Sequence, residues 1–451
     1  MAISYERQAT FSAFLLQDIL DPNHALLKLA GVIDWEAFHG RLAPYYSTVG
    51  RRALPIRLMV GLHLLKHREG MSDLQCAERI RGDLYWMYFC GVDADSLSGV
   101  YSHLDSSSMT YFRKRIGDKG WAEVEGIIRE YLIEKRLVDT SVMTTDSSCL
   151  EKHVDYPTDS GLLDRGRKNL LRGMKKLKAA GVKAVRGLRS FARQSKKVVL
   201  YIAKLCKGRK ERIKKGTLKL ASMARHVVNK SKKMLEHYRR AVKRGALAEA
   251  RKGKKAAESL ARQAQLVAHV IKQTRERFRG RHLKKKIYSL HEPDVVCVRK
   301  GKRSRPDEYG MKFNLSVDKH GFIVTHEEQT TNRHDAKLLE PALKHWEEVT
   351  GRLPNQVNGD RGYNQKRGRK TRRMKKVPRL CIPSSGKRPH PDHKKAWFRR
   401  GQCLRAQIEG TIGHVKSRGR CRYKGRRGSR AHLSLNCIAW NLKKLEKVAL
   451  R

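Results

Sequence analysis

Between Arg165 and Lys286 the chain carries 42 Lys and Arg residues against 5 Asp and Glu. No other feature constrains folding as strongly, because so many like charges repel one another in any compact state. Two solutions are open. Leu220, Met223, Val227, Met234 and Tyr238 recur at helical spacing, as do Leu260, Ala264, Val267, Ile271 and Phe278. That pattern suits a coiled-coil-like hairpin with a narrow apolar seam, lying along a phosphate backbone. The other solution is a basic segment that folds only partly without its partner. Either way the partner is a polyanion. The whole chain, 451 residues with 100 Lys+Arg and 43 Asp+Glu, has a formal charge of +57. Nucleic acid relieves such charge, with release of condensed counterions. Charge names the partner and not the activity, since a structural protein of the ribosome would share it.

Other classes are excluded by what the sequence lacks. "MAISYERQATF" has no basic end followed by an apolar run, so no secretory signal is expected. No stretch of about 18 apolar residues exists, so no membrane span is expected. Nine cysteines are scattered without a Cys-x-x-Cys pair. They read as reduced thiols of a cytoplasmic chain, packed as small hydrophobes. Cys403, His414 and Cys421 lie close in sequence, but their spacing matches no zinc pattern.

Residues 1–140 are mixed in charge and helical in pattern. "ALPIRLMVGLHLLKHREGMSDLQCAERI" predicts a helix broken at Gly70 and a second begun by a Ser72–Gln75 capping box. The pair reads as a helix-turn-helix or as a plain helical hairpin. Trp35, Tyr85, Trp86 and Phe89 read as core aromatics. After residue 290 strand patterns appear. "YGMKFNLSVDKHGFIVTHEEQ" alternates into a β-hairpin that turns at Asp318–Gly321. "HDAKLLEPALKHWEEVTG" predicts a helix, "LPNQVNGD" and "RLCIPSS" short strands, and "AWFRRGQCLRAQIEGTIGHVKSRG" a helix ending at Gly419. Upstream, "SVMTTDSSC" (141–149) has the β-branched content of a strand in the same sheet. The fold class is therefore α+β or α/β and multidomain. A helical N-terminal domain (1–140) precedes a mixed-sheet core whose two parts (141–164 and 291–451) are interrupted by a long basic helical insertion (165–290).

Three acids occupy telling positions: Asp146 within a strand, Asp360 at a strand end and Glu409 on a helix. A carboxylate in a strand centre has few structural uses, because burying it unpaired is costly. Hard divalent cations such as Mg²⁺ take a few carboxylates together with substrate phosphates. Two such ions activate the attacking oxygen and stabilise the leaving one in phosphoryl transfer. By itself "VNGDRGYN" around Asp360 also reads as a simple turn. Arg405, Glu409 and Lys416, four and seven residues apart, share one helical face. They read either as cations holding DNA phosphates beside the acid or as a surface Arg–Glu pair with an unrelated Lys.

Four blocks together resemble a known family: "TTDSSC…DYPTDSGLL", "EYGMKFNLSV…TTNRHDAKLLEPAL", "NGDRGY" and "RAQIEGTIGHVK". They are similar to the DDE transposases of bacterial insertion sequences, nearest to the insertion-sequence-five-like group. "LPIRLMVGLHLLKH…MSDLQCAERIRGDLYWMYFCGV…SSSMTYFRKRIG" resembles the InsH-type N-terminal domain of that group. The resemblance spans nearly everything except the basic insertion. It implies a ribonuclease-H-like core in which Asp146, Asp360 and Glu409 are the catalytic, metal-binding triad for two Mg²⁺ ions, with Mn²⁺ as a substitute. It implies DNA contacts from Arg405, Lys416, Arg361 and Tyr363, and close approach of backbone or DNA at Gly359 and Gly362. "YPTD" (Tyr156–Asp159), Asn332, His334 and Asp335 would support the site, face DNA or serve as scaffold.

The family's helix signature places an aromatic three residues before the Arg. Gln402 stands there instead, which puts a DNA-positioning contact in doubt. The expected activity is 3′-end cleavage at the element's inverted repeats and strand transfer into target DNA. The enzyme would act as a homo-oligomer on double-stranded DNA, cytoplasmic and associated with the nucleoid. The alternatives are a non-catalytic DNA-binding relic and a Mg²⁺-dependent nuclease that cuts without joining.

Overall fold

The structure is a computed structural model describing residues 19–47, 49–50, 53–205, 209–244, 247–281, 283, 285–300, 307–365, 371–384 and 389–448. Two compact units emerge: Met1–Lys152 together with Gly310–Arg451, and His153–Tyr309. No helix among the described residues is long and apolar enough to cross a membrane.

The first unit opens with helices α1 (Ala25–Val32), α2 (Trp35–Leu42), α3 (Ile56–Glu69), α4 (Asp73–Arg79), α5 (Leu84–Cys90), α6 (Ala94–Ser98) and α7 (Ser106–Glu134), then strand β1 (Val142–Glu151). Side-chain caps start most of them: Asp34, Asp83, Asp93 and Asp105 each accept from a backbone N–H of the first turn. The Ser72–Gln75 capping box forms as expected, directly after Gly70 ends α3 in the left-handed region at φ 76°. Helix α3 is buried along nearly its whole length, and α7 kinks at Gly117. Trp35, Trp86 and Phe89 are core residues with Tyr85 packed against them, as their sequence context suggested.

The second unit holds α8 (Asp159–Ala179), α9 (Ala192–Lys204), α10 (Lys210–Lys243), α11 (Leu247–Phe278) and the short strand β2 (Val296–Arg299). Of the two solutions open to the basic stretch, the folded one holds. Leu220, Met223, Val227 and Met234 of α10 and Leu260, Ala264, Val267 and Ile271 of α11 form a continuous core. The hairpin gains a third partner, because α8 adds Leu162, Leu163, Leu170, Met174 and Leu177 to that core. Thr158 caps α8, and the buried Asp159 pairs with Arg277 at 3.1 Å, so these two residues of "YPTD" are tied into this unit while Tyr156 is exposed. Buried Asp164 accepts from Arg167 and Ser195, which ties α8 to α9. Burial raises its carboxyl, but Lys168, the Ser195 hydroxyl and Arg167 outweigh this and hold it down to about 2.

The chain continues with β3 (Asp307–Val317), β4 (Ile323–Gln329), α12 (Leu339–Thr350), β5 (Gln356–Gly359), α13 (Arg372–Lys376), β6 (Arg379–Cys381), α14 (Ala396–Lys416) and α15 (Gly425–Val448). In the first unit the strands form a mixed sheet in the order β4-β3-β1-β5-β6, with β3 taken from Gly310 on. The β3–β4 hairpin turns where expected, with Gly321 at φ 83° and the Asp318 carboxylate accepting from Phe322 N–H. Strand β3 pairs antiparallel with β1 over Thr144–Glu151, whereas β5 pairs parallel with β1 and β6 parallel with β5. At Gly310 the backbone of β1 comes so near that a Cβ would strike the Leu150 carbonyl, so only glycine fits the register.

Helix α15 has no counterpart in the sequence-based reading, yet it packs on α3, α7, α14 and β4. Leu435, Ile438, Leu442 and Leu445 join the same core as α1–α7, Phe322, Val324 and Trp346. The helices before β1 therefore share one hydrophobic core with the sheet's own helices.

Candidate active site

The parallel register of β1 and β5 pairs Thr144 with Asn358 and Thr145 with Gly359. One step further along each strand come Asp146 and Asp360. Adjacent strands run about 4.8 Å apart, so the Asp360 carboxylate just past the end of β5 neighbours Asp146 in the middle of β1. Side chains alternate, which puts Asp146 on the face of Thr144 and Asp360 on the face of Asn358. These two faces are one face, since Asn358 Nδ2 donates to Thr144 Oγ1 at 2.9 Å.

Helix α14 covers that face. A Cβ at Gly401 would stand 2.5 Å from Asn358 Oδ1 and 2.6 Å from Cys381 Sγ, so the helix touches the sheet there through bare backbone. One turn on is Arg405, and one turn further Glu409. The Arg405 Nη2 atom lies 2.9 Å from Glu409 Oε1 and 3.8 Å from Asp360 Oδ2. A single guanidinium thus bridges two of the three expected carboxylates, so Arg405 is shared rather than paired with Glu409 alone. Arg405 Nε is buried without a hydrogen-bond partner.

Asp360 and Glu409 are more than half exposed, at 51% and 60% of their side-chain surface. Asp360 begins the single 3-10 turn Arg361–Tyr363, its Oδ1 accepting from Arg361 N–H at 2.5 Å. Asp146 is half-buried and accepts from Ser147 N–H at 2.7 Å. Among the described residues no three carboxylate, imidazole or thiolate groups converge tightly enough to hold an ion. Arg405 lies against Asp360 and Glu409, and a few carboxylates from neighbouring elements are the donor chemistry that a hard divalent ion takes. Cys403 is exposed while Cys421 is buried, and they form no metal cluster with His414.

Two expectations need correction. Tyr363, expected to touch DNA, is 1% exposed and part of the main core. Its hydroxyl donates to Asn314 Oδ1 at 2.5 Å. Burial first, then the charges of Asp146 and Asp335, push its phenol well above the ordinary range. It is a strut under the site. Gly362 gives room to Asp335 rather than to DNA, because a Cβ there would lie 3.2 Å from Asp335 Oδ2. Gly359 meets only ordinary contacts. Arg361 is exposed and Lys416 half-buried at the end of α14. Gln402 donates to the Cys381 carbonyl at 3.0 Å, so the position of the missing aromatic ties α14 to β6.

Asp335 is a further carboxylate, bonded to Ser147 on the face of β1 opposite Asp146. Its Oδ1 accepts from Ser147 Oγ and from the buried Lys312 Nζ, each at 2.7 Å. Lys312 also donates to the Arg333 carbonyl, which fixes the loop carrying Asp335. The sequence offered Asp335 only as one member of a motif with several possible roles. Its bond to the residue beside Asp146 spans 188 positions and has no local signal. His334 is local scaffold, since its Nδ1 accepts from Ala336 N–H.

The close approach at Gly401 has a testable consequence. Asn358 and Cys381 are fully buried and Asn358 is held by Thr144 and Gln356, so neither yields easily to a methyl group. Gly401→Ala is expected to lift α14 and displace Arg405 and Glu409. Misplacement of about 1 Å costs roughly 10²-fold in rate. The assay is cleavage rate beside thermal melting; unchanged turnover would show that α14 needs no such seat.

Comparison with known proteins adds an independent line. Residues 14–115 match a family described as a transposase domain (DUF772), and residues 277–442 match a transposase DDE domain. The second match contains Asp360 and Glu409, whereas Asp146 lies before it. An uncharacterized Rhizobium meliloti protein, ORF8 in the nfe locus, is 37% identical over 174 residues, covering 36% of this chain and 78% of that protein. No solved structure matches the chain.

Proposed function

This chain belongs to the DDE transposases of insertion sequences and acts on DNA, and from that premise we propose that Asp146, Asp360 and Glu409 carry its chemistry. The observation that supports this most is the Arg405 guanidinium shared by Asp360 and Glu409, where β5 ends opposite Asp146 in the middle of β1. The three carboxylates would hold divalent ions, Mg²⁺ or Mn²⁺, as a pair. Such a pair when bound supplies a deprotonated water and charge neutralisation at the leaving oxygen.

The chain's own residues do the rest. Asp146 is held by the Ser147 amide, and Ser147 in turn by Asp335, so the first carboxylate has a fixed direction. Arg405 alternates between its carboxylate partners and a substrate phosphate, and exposed Arg361 adds a second cation on the DNA side. In the proposed reaction water attacks the phosphorus at the element end. The bond to O3′ breaks, leaving a 3′-hydroxyl on the element and a 5′-phosphate on the flank. That hydroxyl then attacks a target phosphodiester, forming one new O3′–P bond and releasing one target 3′-hydroxyl. No protein nucleophile is required, and the protein assembles as a homo-oligomer on the paired ends.

Incubation of the protein with labelled element-end duplex and target DNA, with and without Mg²⁺, tests this reading. Mg²⁺-dependent 3′ nicks followed by joined products support it. Binding without cleavage would leave a DNA-binding relic, and cleavage without joining a nuclease. The supporting carboxylate makes its own prediction. Asp335→Asn should slow nicking about 10- to 100-fold, the usual cost of losing an orienting partner of a metal ligand. It should also raise the Mg²⁺ concentration for half-maximal rate, a shift that mere loss of folded protein would not produce.

A further inference from the structure

The second unit carries cations that its own structure leaves unpaired. Helices α8, α10 and α11 pack against one another pairwise, and the two seams along α11 open as grooves. The α10–α11 groove, of about 350 Å³, is lined by Arg225 and Lys232 from one helix, Lys272 and Arg275 from the other, and Arg279 just past its end. Its single acid, Glu276, is already taken by Arg279 at 3.0 Å and Arg281 at 3.7 Å. The α8–α11 groove, of about 510 Å³, is lined by Asn169, Arg172, Lys176, Lys255, Ser259 and Gln263, with no acid among its lining residues. Gln263 Oε1 is buried there without a hydrogen-bond partner. Among the described residues no carboxylate pairs with Arg225, Lys232, Lys272, Arg275, Lys176 or Lys255. Ser259 and Lys272 are separated by about 220° around α11, so the grooves open on opposite flanks of one helix.

Buried apolar seams hold these helices together, so the cations are not needed for the fold. They raise its self-repulsion instead. Their spacing fits a partner with regularly placed negative charges. Apolar side chains pave part of each groove (Val228, Ala268 and Ile271 in one, Ala256 and Leu260 in the other), and the cations along them suit phosphates, which carry no sequence information.

We propose that the two grooves flanking α11 are docking sites for the sugar–phosphate backbone of double-stranded DNA, and that the second unit grips duplex without regard to sequence. This rests on DNA being the substrate and assigns to the insertion a separate role, holding flanking or target DNA while the carboxylate site acts on the ends. Gly173 shapes one groove floor: a Cβ there would stand 3.0 Å from Leu260 Cδ1, and its absence lets α8 and α11 close on each other.

The test uses the full chain and a duplex of about 30 base pairs lacking the element's ends. Affinity is measured across a salt series for the wild type and for the combined Arg225→Glu, Lys232→Glu, Lys272→Glu and Arg275→Glu variant. Each phosphate that the protein ceases to neutralise lowers the slope of log K against log salt by about 0.9, so a fall of about 3.6 is expected for four. A control variant reverses four exposed cations outside the grooves: Lys196, Lys197, Lys215 and Lys219 to Glu. Its slope should change by less than about 1 for the same change of charge. Melting by circular dichroism establishes that each variant is folded. Equal falls in both variants, or no fall in the groove variant, would overturn the proposal. Tighter binding of duplex RNA than of duplex DNA would overturn it as well. In each of those outcomes Mg²⁺-dependent cleavage at the ends would stand, whereas a wild type that neither binds nor cuts DNA would sink the reading of the carboxylate site too.

Discussion

Asp360→Asn is expected to slow cleavage at the element's ends by about three orders of magnitude while leaving the fold intact. Asparagine keeps the oxygen that accepts from Arg361 N–H, and it caps a turn as well as aspartate does. Asp360 is half exposed, so its replacement should cost no more than about 0.5 kcal/mol of stability. What disappears is one of three negative charges. Charge stabilisation by a bound metal contributes several kcal/mol to the transition state, and about 4 kcal/mol corresponds to about 10³ in rate. Single-turnover nicking of a labelled end duplex, with urea unfolding in parallel, measures both halves. A loss below tenfold in a folded protein would remove Asp360 from the machinery.

The second large effect is acid lability of the first unit. His63, His67 and His432 are buried where α3, α7 and α15 meet. Burial, then neighbouring cations, lower His63 and His432 to about 3, and burial with His432 and Lys66 lowers His67 well below the ordinary value. Neither ring nitrogen of His432 has a hydrogen-bond partner. A histidine with lowered pKa binds fewer protons folded than unfolded. Its stabilisation is therefore complete above the unfolded value near 6.5 and is lost as pH falls toward 3.

Each such group costs about 1.4 kcal/mol per pH unit, so three together cost about 4 kcal/mol per unit below pH 6. The opposite sign holds for His326, buried against Glu125 at 2.9 Å. Burial lowers its pKa, but Glu125 raises it further, to a net increase. Its stabilisation is full below 6.5 and is lost as pH rises through the raised value. Glu125 itself is held down to about 2, so its share survives until pH drops below about 4. Maximal stability near pH 6.5, with a steep fall on the acid side, is the expected outcome of urea titrations. His432→Leu should remove about a third of that acid slope. An unchanged slope would mean that His432 is already protonated in the folded state.

How much of this was legible in the sequence depends on how far each interaction reaches. Strand β1 around Asp146, the β3–β4 hairpin and the broken α3–α4 pair carry local signals: β-branched alternation, a turn ending in Gly321, and a capping box after Gly70. The Arg405–Glu409 spacing was equally readable, being one helical turn. That Arg405 also reaches Asp360 was not, because the pair spans 45 positions and depends on how α14 sits on β5.

Helix α15 was overlooked because it starts with an Arg- and Gly-rich stretch that resembles a charged loop. Its apolar residues also face two directions at once: Leu433 and Cys437 join the core of β3 and α14, while Leu435, Ile438 and Leu442 join that of α3 and α7. Such a two-sided pattern hides the 3.6-residue period. Tyr363 misled for the opposite reason: it sits two residues beyond exposed Arg361, in a turn whose next residue goes inward. The basic insertion folds because its apolar seam is closed by a third helix, α8, which starts just before the charged stretch and has a weaker pattern of its own.

Whether Asp146, Asp360 and Glu409 form one metal site can be decided without reference to turnover. Mn²⁺ is titrated into the protein bound to end duplex and followed by electron paramagnetic resonance. Asp146→Asn, Asp360→Asn and Glu409→Gln should each weaken binding at a common site by at least about tenfold, in the range set by loss of a ligand or its support. Mn²⁺ binding left intact by Glu409→Gln while Asp146→Asn abolishes it would contradict a shared site, and would place the ion away from α14.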